Sequence, residues 1–288
     1  MATGIAGLAV RGGGVMSAAD AAAATYGQPE NYGLGLQTTV TEVAEYIQWF
    51  HNSILTPLII VISLFVLALL VIVVFKFNEK ANPEPSRNSH NTFLEVAWTV
   101  IPIAILVLIA APSFKALYMQ YDYPKPDVVI KATGHQWYWS YAYPDAEGVE
   151  FDAYMVEDAD LKEGQPRLLT VDNAVVVPVN KVVHVLLNAS DVIHNWTIPA
   201  FGSKMDAVPG RTTATWFKAT REGIYYGQCS ELCGIRHAFM PITVWVVNDG
   251  LYAKWIAARK TGDDDAVEAV MTDIEGQYKN NTMADLKN

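Results

Sequence analysis

From Ile54 to Phe75 the chain carries no charged residue, and most positions are Leu, Ile, Val or Phe. At ~1.5 Å per residue the run reaches about 30 Å, the thickness of a bilayer's hydrocarbon core. A buried helix in a soluble core is the other reading of such a stretch, but the lack of polar periodicity over this length favours the membrane. A second apolar run, Val96 to Ser113, lies within Leu94 to Met119 and contains Pro102 and Pro112. Membrane helices tolerate such prolines better than soluble ones. Two spans are therefore predicted, at about 54–77 and 94–118, forming a transmembrane hairpin over residues 28–119.

The connection "KFNEKANPEPSRNSHNTFLE" is broken by Asn82, Pro83 and Pro85. Lys76, Lys80 and Arg87 flank the spans on this side, whereas residues 28–56 hold no Lys or Arg. The positive-inside rule places this loop in the cytoplasm and both termini outside. The first 27 residues are rich in Ala and Gly, with the run Ala21 to Ala24. They read either as a cleaved leader or as a disordered N-terminal arm; Arg11 follows the short apolar stretch Ile5 to Val10 instead of preceding it.

Beyond residue 120 the periodicity changes. Segments such as "DVVIKATGHQWYWSYAYP", "RLLTVDNAVVVPVNKVVHVLLNAS" and "FMPITVWVVND" are rich in Val, Ile, Thr, Tyr and Trp between turn residues. They predict antiparallel strands of a sandwich or barrel over 120–250. Residues 251–288 return to helical composition, with a short amphipathic helix over Leu251 to Ala258 and a mobile or partner-bound acidic tail beyond Asp263. The net charge of −10 argues against nucleic-acid binding and for a basic partner. No Gly-rich phosphate loop and no nucleophile elbow is present.

The two cysteines, Cys229 and Cys233, stand in "GQCSELCGIRHAFMP" with His237 and Met240 close behind. A disulfide is sterically open to them in an outer compartment, yet it leaves His237 and Met240 unexplained. Thiolate, imidazole and thioether together select copper, and a one-copper electron-transfer site uses two His, one Cys and a weak axial Met. His194, in "NASDVIHNWTIP", supplies the second imidazole. Cys233 is then left over unless both sulfurs bridge two coppers, an arrangement that spreads the geometric change on reduction and suits fast one-electron transfer.

Taken with "DVIHNWTIPAFGSKMDAVPGR" and "GHQWYWSY", this cluster resembles subunit II of haem–copper cytochrome c oxidase, over roughly residues 40–250. The resemblance implies a membrane-anchored α+β chain: a two-helix transmembrane hairpin, then an all-β cupredoxin-like Greek-key barrel with a C-terminal helix. It implies two copper ions in a dinuclear centre, CuA. Cys229 and Cys233 would bridge the metals, His194 and Met240 would complete one, and His237 with the Glu231 carbonyl the other. The Glu231 side chain would bind a Mg ion shared with the catalytic subunit, a hard-cation role that suits a carboxylate.

The same resemblance singles out Trp137 as the point where electrons arrive from cytochrome c. It gives Asp145, Glu147, Asp172 and Asp191 as acids that attract that basic cytochrome, and Glu95 as the mouth of a proton path into the catalytic subunit. Each residue also has an ordinary reading: an aromatic core for Trp137 or Trp139, solvation for the exposed acids and Glu231, an interfacial anchor for Glu95. His51, His90, His135 and His184 lack partners at metal spacing and stay unassigned.

The sequence therefore reads as a subunit of a proton-translocating cytochrome c oxidase. It would take electrons from cytochrome c and pass them to haem in subunit I, where oxygen is reduced. Its place would be a bacterial plasma membrane, with the copper domain on the periplasmic side, ahead of a mitochondrial inner membrane. A quinol-oxidase subunit would lack the copper donors, and a nitrous-oxide-reductase domain would follow a large propeller. A membrane-anchored copper carrier would account for the ligands but not for Trp137, Glu95 and Glu231 together.

Overall fold

The computed structural model describes residues 27–30 and 32–285, with side chains described as far as residue 276. The leader-like stretch 1–27 lies outside the described residues except for Gly27. The chain enters its first long helix at Thr41, whose hydroxyl accepts a bond from the Ala44 N–H at 3.1 Å and donates to the Phe201 carbonyl at 2.8 Å. Helix α1 (Glu42–Phe50) continues through a π-helical turn, His51–Leu55, into α2 (Thr56–Lys76). The wider turn changes the helix face. Before it, Val43, Ala44 and Phe50 are buried; after it, no α2 side chain is.

Asn91 caps α3 (Thr92–Tyr121) by accepting the Leu94 N–H at 3.2 Å. Pro102 and Pro112 sit inside this helix, and Ala116 is its one buried residue. The apolar windows of both long helices face outward and are unburied. Leu, Ile, Val and Phe at this density would not stay in water, so the chain is a multi-pass membrane protein with lipid as the solvent of α2 and α3. The Tyr46 hydroxyl ties α1 to α3 through the Pro112 carbonyl at 3.3 Å, and the Lys115 ammonium lies 4.6 Å from the Tyr46 ring centre.

Among the described residues ten strands follow: β1 (Val128–His135), β2 (Tyr138–Ala142), β3 (Glu150–Ala153), β4 (Val175–Pro178), β5 (Val183–Ala189), β6 (His194–Ile198), β7 (Ser203–Ala207), β8 (Thr213–Phe217), β9 (Gly223–Gln228) and β10 (Pro241–Val247). They make a five-stranded sheet in the order β3-β2-β1-β5-β8, a three-stranded sheet β4-β10-β9 and the hairpin β6-β7. Among the described residues no ladder closes these sheets, so the domain is a packed set of open sheets and not a closed barrel. The expectation of purely antiparallel strands is also corrected. Strand β1 pairs in parallel with β5, and β10 with β4, because the segments between each pair cross over the domain. Alternation of side chains shows which face a strand buries, but not the direction of its neighbour.

The core lies between the sheets. Trp139, Leu187, Trp196, Phe217, Tyr225 and Ile242 are fully enclosed there. Strand β5 alternates buried and half-buried positions, whereas every residue of β10 is buried.

Helix α4 (Asp249–Thr261) packs against β4 and inserts Trp255, fully buried, edge-on to Tyr143 at 5.2 Å and Phe151 at 5.9 Å. Among the described residues the acidic segment beyond Asp263 is helical. After Gly262, whose positive φ ends α4, the chain forms α5 (Asp264–Asp285), which returns along α4 and buries Val267 and Ile274. The apolar positions Val267, Val270, Met271 and Ile274 recur at helical spacing, and covering a side chain such as Ile274 contributes roughly 1.5–3 kcal/mol.

Candidate metal centre

The site hangs between two paired strands. Cys229 directly follows β9 and Met240 directly precedes β10, and the Cys229 N–H donates to the Met240 carbonyl at 3.4 Å, extending their ladder. The intervening loop carries Cys233 and a single 3₁₀ turn, His237–Phe239. His194 opens β6, which packs over β9. That crossing is close: a Cβ on Gly227 would lie 1.8 Å from the Thr197 carbonyl oxygen, so only glycine lets β6 approach.

Both cysteines are free and buried. Their sulfurs are 3.9 Å apart, well beyond the ~2.05 Å of a disulfide. Cys229 Sγ lies 3.8 Å from His194 Nδ1 and 3.4 Å from the Glu231 carbonyl oxygen. Cys233 Sγ lies 3.5 Å from His237 Nδ1 and 3.5 Å from Met240 Sδ. All six expected donors thus converge, and the ligand atoms of His194, Cys229 and Cys233 fall within 4.8 Å of one another. Two sulfurs, two imidazole nitrogens, a thioether and a carbonyl fit a thiophilic metal with nitrogen preference, which is copper's chemistry.

The electrostatics of the two thiols differ. Burial pushes the Cys229 thiol up, but bonds from His194 and the neighbouring backbone outweigh it and leave the pKa below the usual thiol value. Burial, then the adjacent Cys229 charge, raises Cys233 to about 12. The His194 ring is raised despite its burial, because Cys229 and Asp191 flank its two nitrogens. A dication would replace the proton that this cluster otherwise retains.

Surrounding groups fix the donors. The Trp139 indole N–H donates to the Met240 carbonyl at 3.3 Å, and the Ser230 N–H to the Asn195 carbonyl at 3.2 Å. Trp137 is half-buried in the turn between β1 and β2, not on a strand face, and its indole N–H donates to the Cys233 carbonyl at 3.3 Å. Trp139, two residues on, is core. Sequence reasoning passed over Gly134, where a Cβ would stand 2.8 Å from the His194 ring, and Gly234, where one would stand 3.0 Å from the Trp137 ring. A glycine inside the β-rich run "IKATGHQWYW" was the available sign of such an approach.

The remaining expected residues are spread out. Asp145 and Glu147 lie at the far end of the β1–β2 hairpin from Trp137, both exposed, with Asp145 accepting the Val129 N–H at 3.1 Å. Six residues separate Val129 from His135, so that end is roughly 20 Å from the Trp137 turn at strand rise. Asp172 is exposed and accepts the Tyr154 N–H at 2.8 Å. Asp191 is bonded to His194 at the edge of the donor group. The Glu231 side chain is exposed while its carbonyl faces Cys229. Glu95 stands in the first turn of α3, 2.8 Å from His90 Nδ1 and remote in sequence from the cluster. His135 and His184 are held by neighbours, Ser190 and Ser140 for the first and the Pro124 carbonyl for the second.

Comparison with known proteins identifies the family. Residues 128–247 match the family described as cytochrome c oxidase subunit II, periplasmic domain, and residues 29–116 match its transmembrane domain. The chain is 47% identical over 232 residues to a probable cytochrome c oxidase subunit 2 of Rickettsia bellii, covering 81% of this chain and 86% of that one. It is 45% identical over 283 residues to cytochrome c oxidase subunit 2 of Cereibacter sphaeroides, covering 90% and 93%. The crystal structure of the periplasmic domain of subunit II of cytochrome oxidase of Bradyrhizobium japonicum is 57% identical, covers 48% of this chain and 97% of that chain, and superposes with a TM-score of 0.46. The chain belongs to the cytochrome c oxidase subunit II family, and with it to the membrane-anchored electron-transfer subunits of that oxidoreductase complex.

Proposed function

We propose that this chain is the subunit through which electrons reach a cytochrome c oxidase, by way of a dinuclear copper centre held in the loop Cys229 to Met240 and by His194. The observation that carries this reading is the pair of free, buried sulfurs 3.9 Å apart, each with an imidazole nitrogen within 3.8 Å. When bound, two copper ions sharing those sulfurs supply a one-electron carrier of low reorganisation. Cys229, Cys233, His194, His237, Met240 and the Glu231 carbonyl would hold them.

The protein's own part is to hold the donors still and dry. Cys229, Cys233, His194 and Met240 are all at most 5% exposed, so no solvent need reorganise around them. The Trp137 indole, bonded to the Cys233 carbonyl, gives a c-type cytochrome a half-exposed aromatic contact one hydrogen bond from a bridging residue. Asp172, with Asp145 and Glu147 farther off, draws in that basic partner at long range. The exposed Glu231 carboxylate binds Mg at the boundary with the haem-bearing subunit I. Glu95 takes protons at the cytoplasmic end of α3, which His90 and the basic loop also flank. The domain is cupredoxin-like and periplasmic, and the membrane is the plasma membrane of a bacterium, as the leader-like N-terminus suggests.

The test is the purified complex. Two copper ions per chain with one unpaired electron spread over both nuclei support the reading. A single labile copper, or none, would replace it with that of a carrier.

A further inference from the structure

Asp191 differs from the exposed acids: its side chain is only 29% exposed and both oxygens are engaged. Oδ1 accepts from His194 Nε2 at 2.8 Å and from the Val192 N–H at 2.7 Å; Oδ2 accepts the Gln136 N–H at 2.7 Å. His194 is fully buried and turns its other nitrogen, Nδ1, to Cys229. The Gln136 side chain donates to the Cys233 carbonyl at 2.8 Å, beside the bond from Trp137. One carboxylate therefore spans from a metal-donor imidazole to the turn that carries Trp137. That turn is also pinned to Cys233 from its other side.

We propose that Asp191 is a positioning residue: it holds the His194 imidazole and the Gln136–Trp137 turn in fixed relation, so that the electron-accepting aromatic and the metal donors form one rigid unit. The inference rests on the copper reading given above. Its physical basis is that a carboxylate can accept on both oxygens, whereas an amide can accept on one only. In Asp191→Asn, an Oδ1 facing His194 sets the Nδ2 donor against the Gln136 N–H, and the flipped amide sets it against His194 Nε2–H. One side must give way. A partner of this kind also fixes the tautomer and orientation of a ligating imidazole.

The experiment uses the full chain in its membrane complex and compares Asp191→Glu, Asp191→Asn and Asp172→Asn. Asp191→Glu keeps the charge but moves the carboxylate outward by one methylene. Asp172→Asn removes one charge from an exposed acid that bonds only Tyr154 and Asn173 N–H groups. If Asp191 positions, Asp191→Glu alters the copper resonance spectrum and shifts the midpoint potential, while the salt dependence of cytochrome c association stays as in the parent. Copper affinity then falls by about 10–100-fold in either Asp191 variant, and a chain that assembles without copper counts as the extreme of this result. Asp172→Asn leaves spectrum and potential unchanged. The inference is overturned if Asp191→Glu has the parent's spectrum, potential and copper content and Asp191→Asn behaves as Asp172→Asn does. Failure of the copper reading is seen separately, because the parent complex would then lack the two-copper signal.

Discussion

The membrane hairpin and the outer domain place their apolar side chains by opposite rules. Helix α2 buries none of its residues within the chain, and α3 buries Ala116 alone. In the outer domain, Trp139, Trp196, Trp255 and Tyr225 are enclosed to 1% exposure or less, and the proposed copper donors, Met240 among them, are packed in the same core. The hairpin asks only for length and apolar character, so many residue exchanges there are equivalent in lipid. The outer domain asks for particular shapes at particular places, because a metal centre of low reorganisation needs donors that cannot shift. The difference should appear on mutation: steep losses at the loop and its glycines, shallower ones away from them.

The largest effect belongs to the two sulfurs proposed to bridge the coppers. Cys233→Ser replaces a soft donor with a hard one, and the complex is expected to lose the shared-electron copper signal and electron transfer from cytochrome c entirely. Metal analysis with single-turnover reduction by the cytochrome checks it. Turnover retained at even a tenth of the parent value would break the comparison.

Next is Gly134→Ala. The added methyl would stand 2.8 Å from the His194 ring and must push it. Overpacking of this kind costs about 1–3 kcal/mol, and it falls on a proposed copper donor, so copper retention under a competing chelator should drop while the chain still reaches the membrane. A parent-like retention curve would show that β1 does not fix His194.

Ile274→Ala sharpens the contrast from the opposite end of the domain. Removing a buried aliphatic side chain costs about 2–5 kcal/mol, so thermal unfolding of the outer part should come earlier with the copper spectrum unchanged below the transition. An unaltered transition would mean that α5 does not dock. The smallest expected effect is that of Asp172→Asn, an exposed acid. Cytochrome association should slow modestly at low salt and match the parent at high salt, where screening removes long-range attraction. A loss that salt does not abolish would move Asp172 from steering to direct contact.

How much of this was legible in the sequence follows the same division. The run Ile54 to Phe75 reads directly as a span because the bilayer imposes one demand on every position. The donors Cys229, Cys233, His237 and Met240 were legible because they share one short loop. His194 was legible only through the donor count of a copper site that wants a second imidazole, since nothing local to "DVIHNW" says that β6 crosses β9. The parallel pairing of β1 with β5 was not legible, because side-chain alternation is the same in either direction. The docking of α5 was hidden by its acids: Asp264, Asp265, Glu268, Asp273 and Glu275 read as a tail, while Val267 and Ile274 on the other face carry the packing. Asp191 was seen as charge and not as an acceptor, because only geometry puts His194 and Gln136 on its two oxygens.

The proposed function requires two sulfurs to join two metals into one redox centre. Electron paramagnetic resonance of the oxidised complex, together with a copper count per chain, tests it most directly. The expected result is two coppers and one unpaired electron whose hyperfine structure shows two equivalent nuclei. Hyperfine structure from a single nucleus, or a Cys229–Cys233 disulfide in the copper-loaded complex, would contradict it.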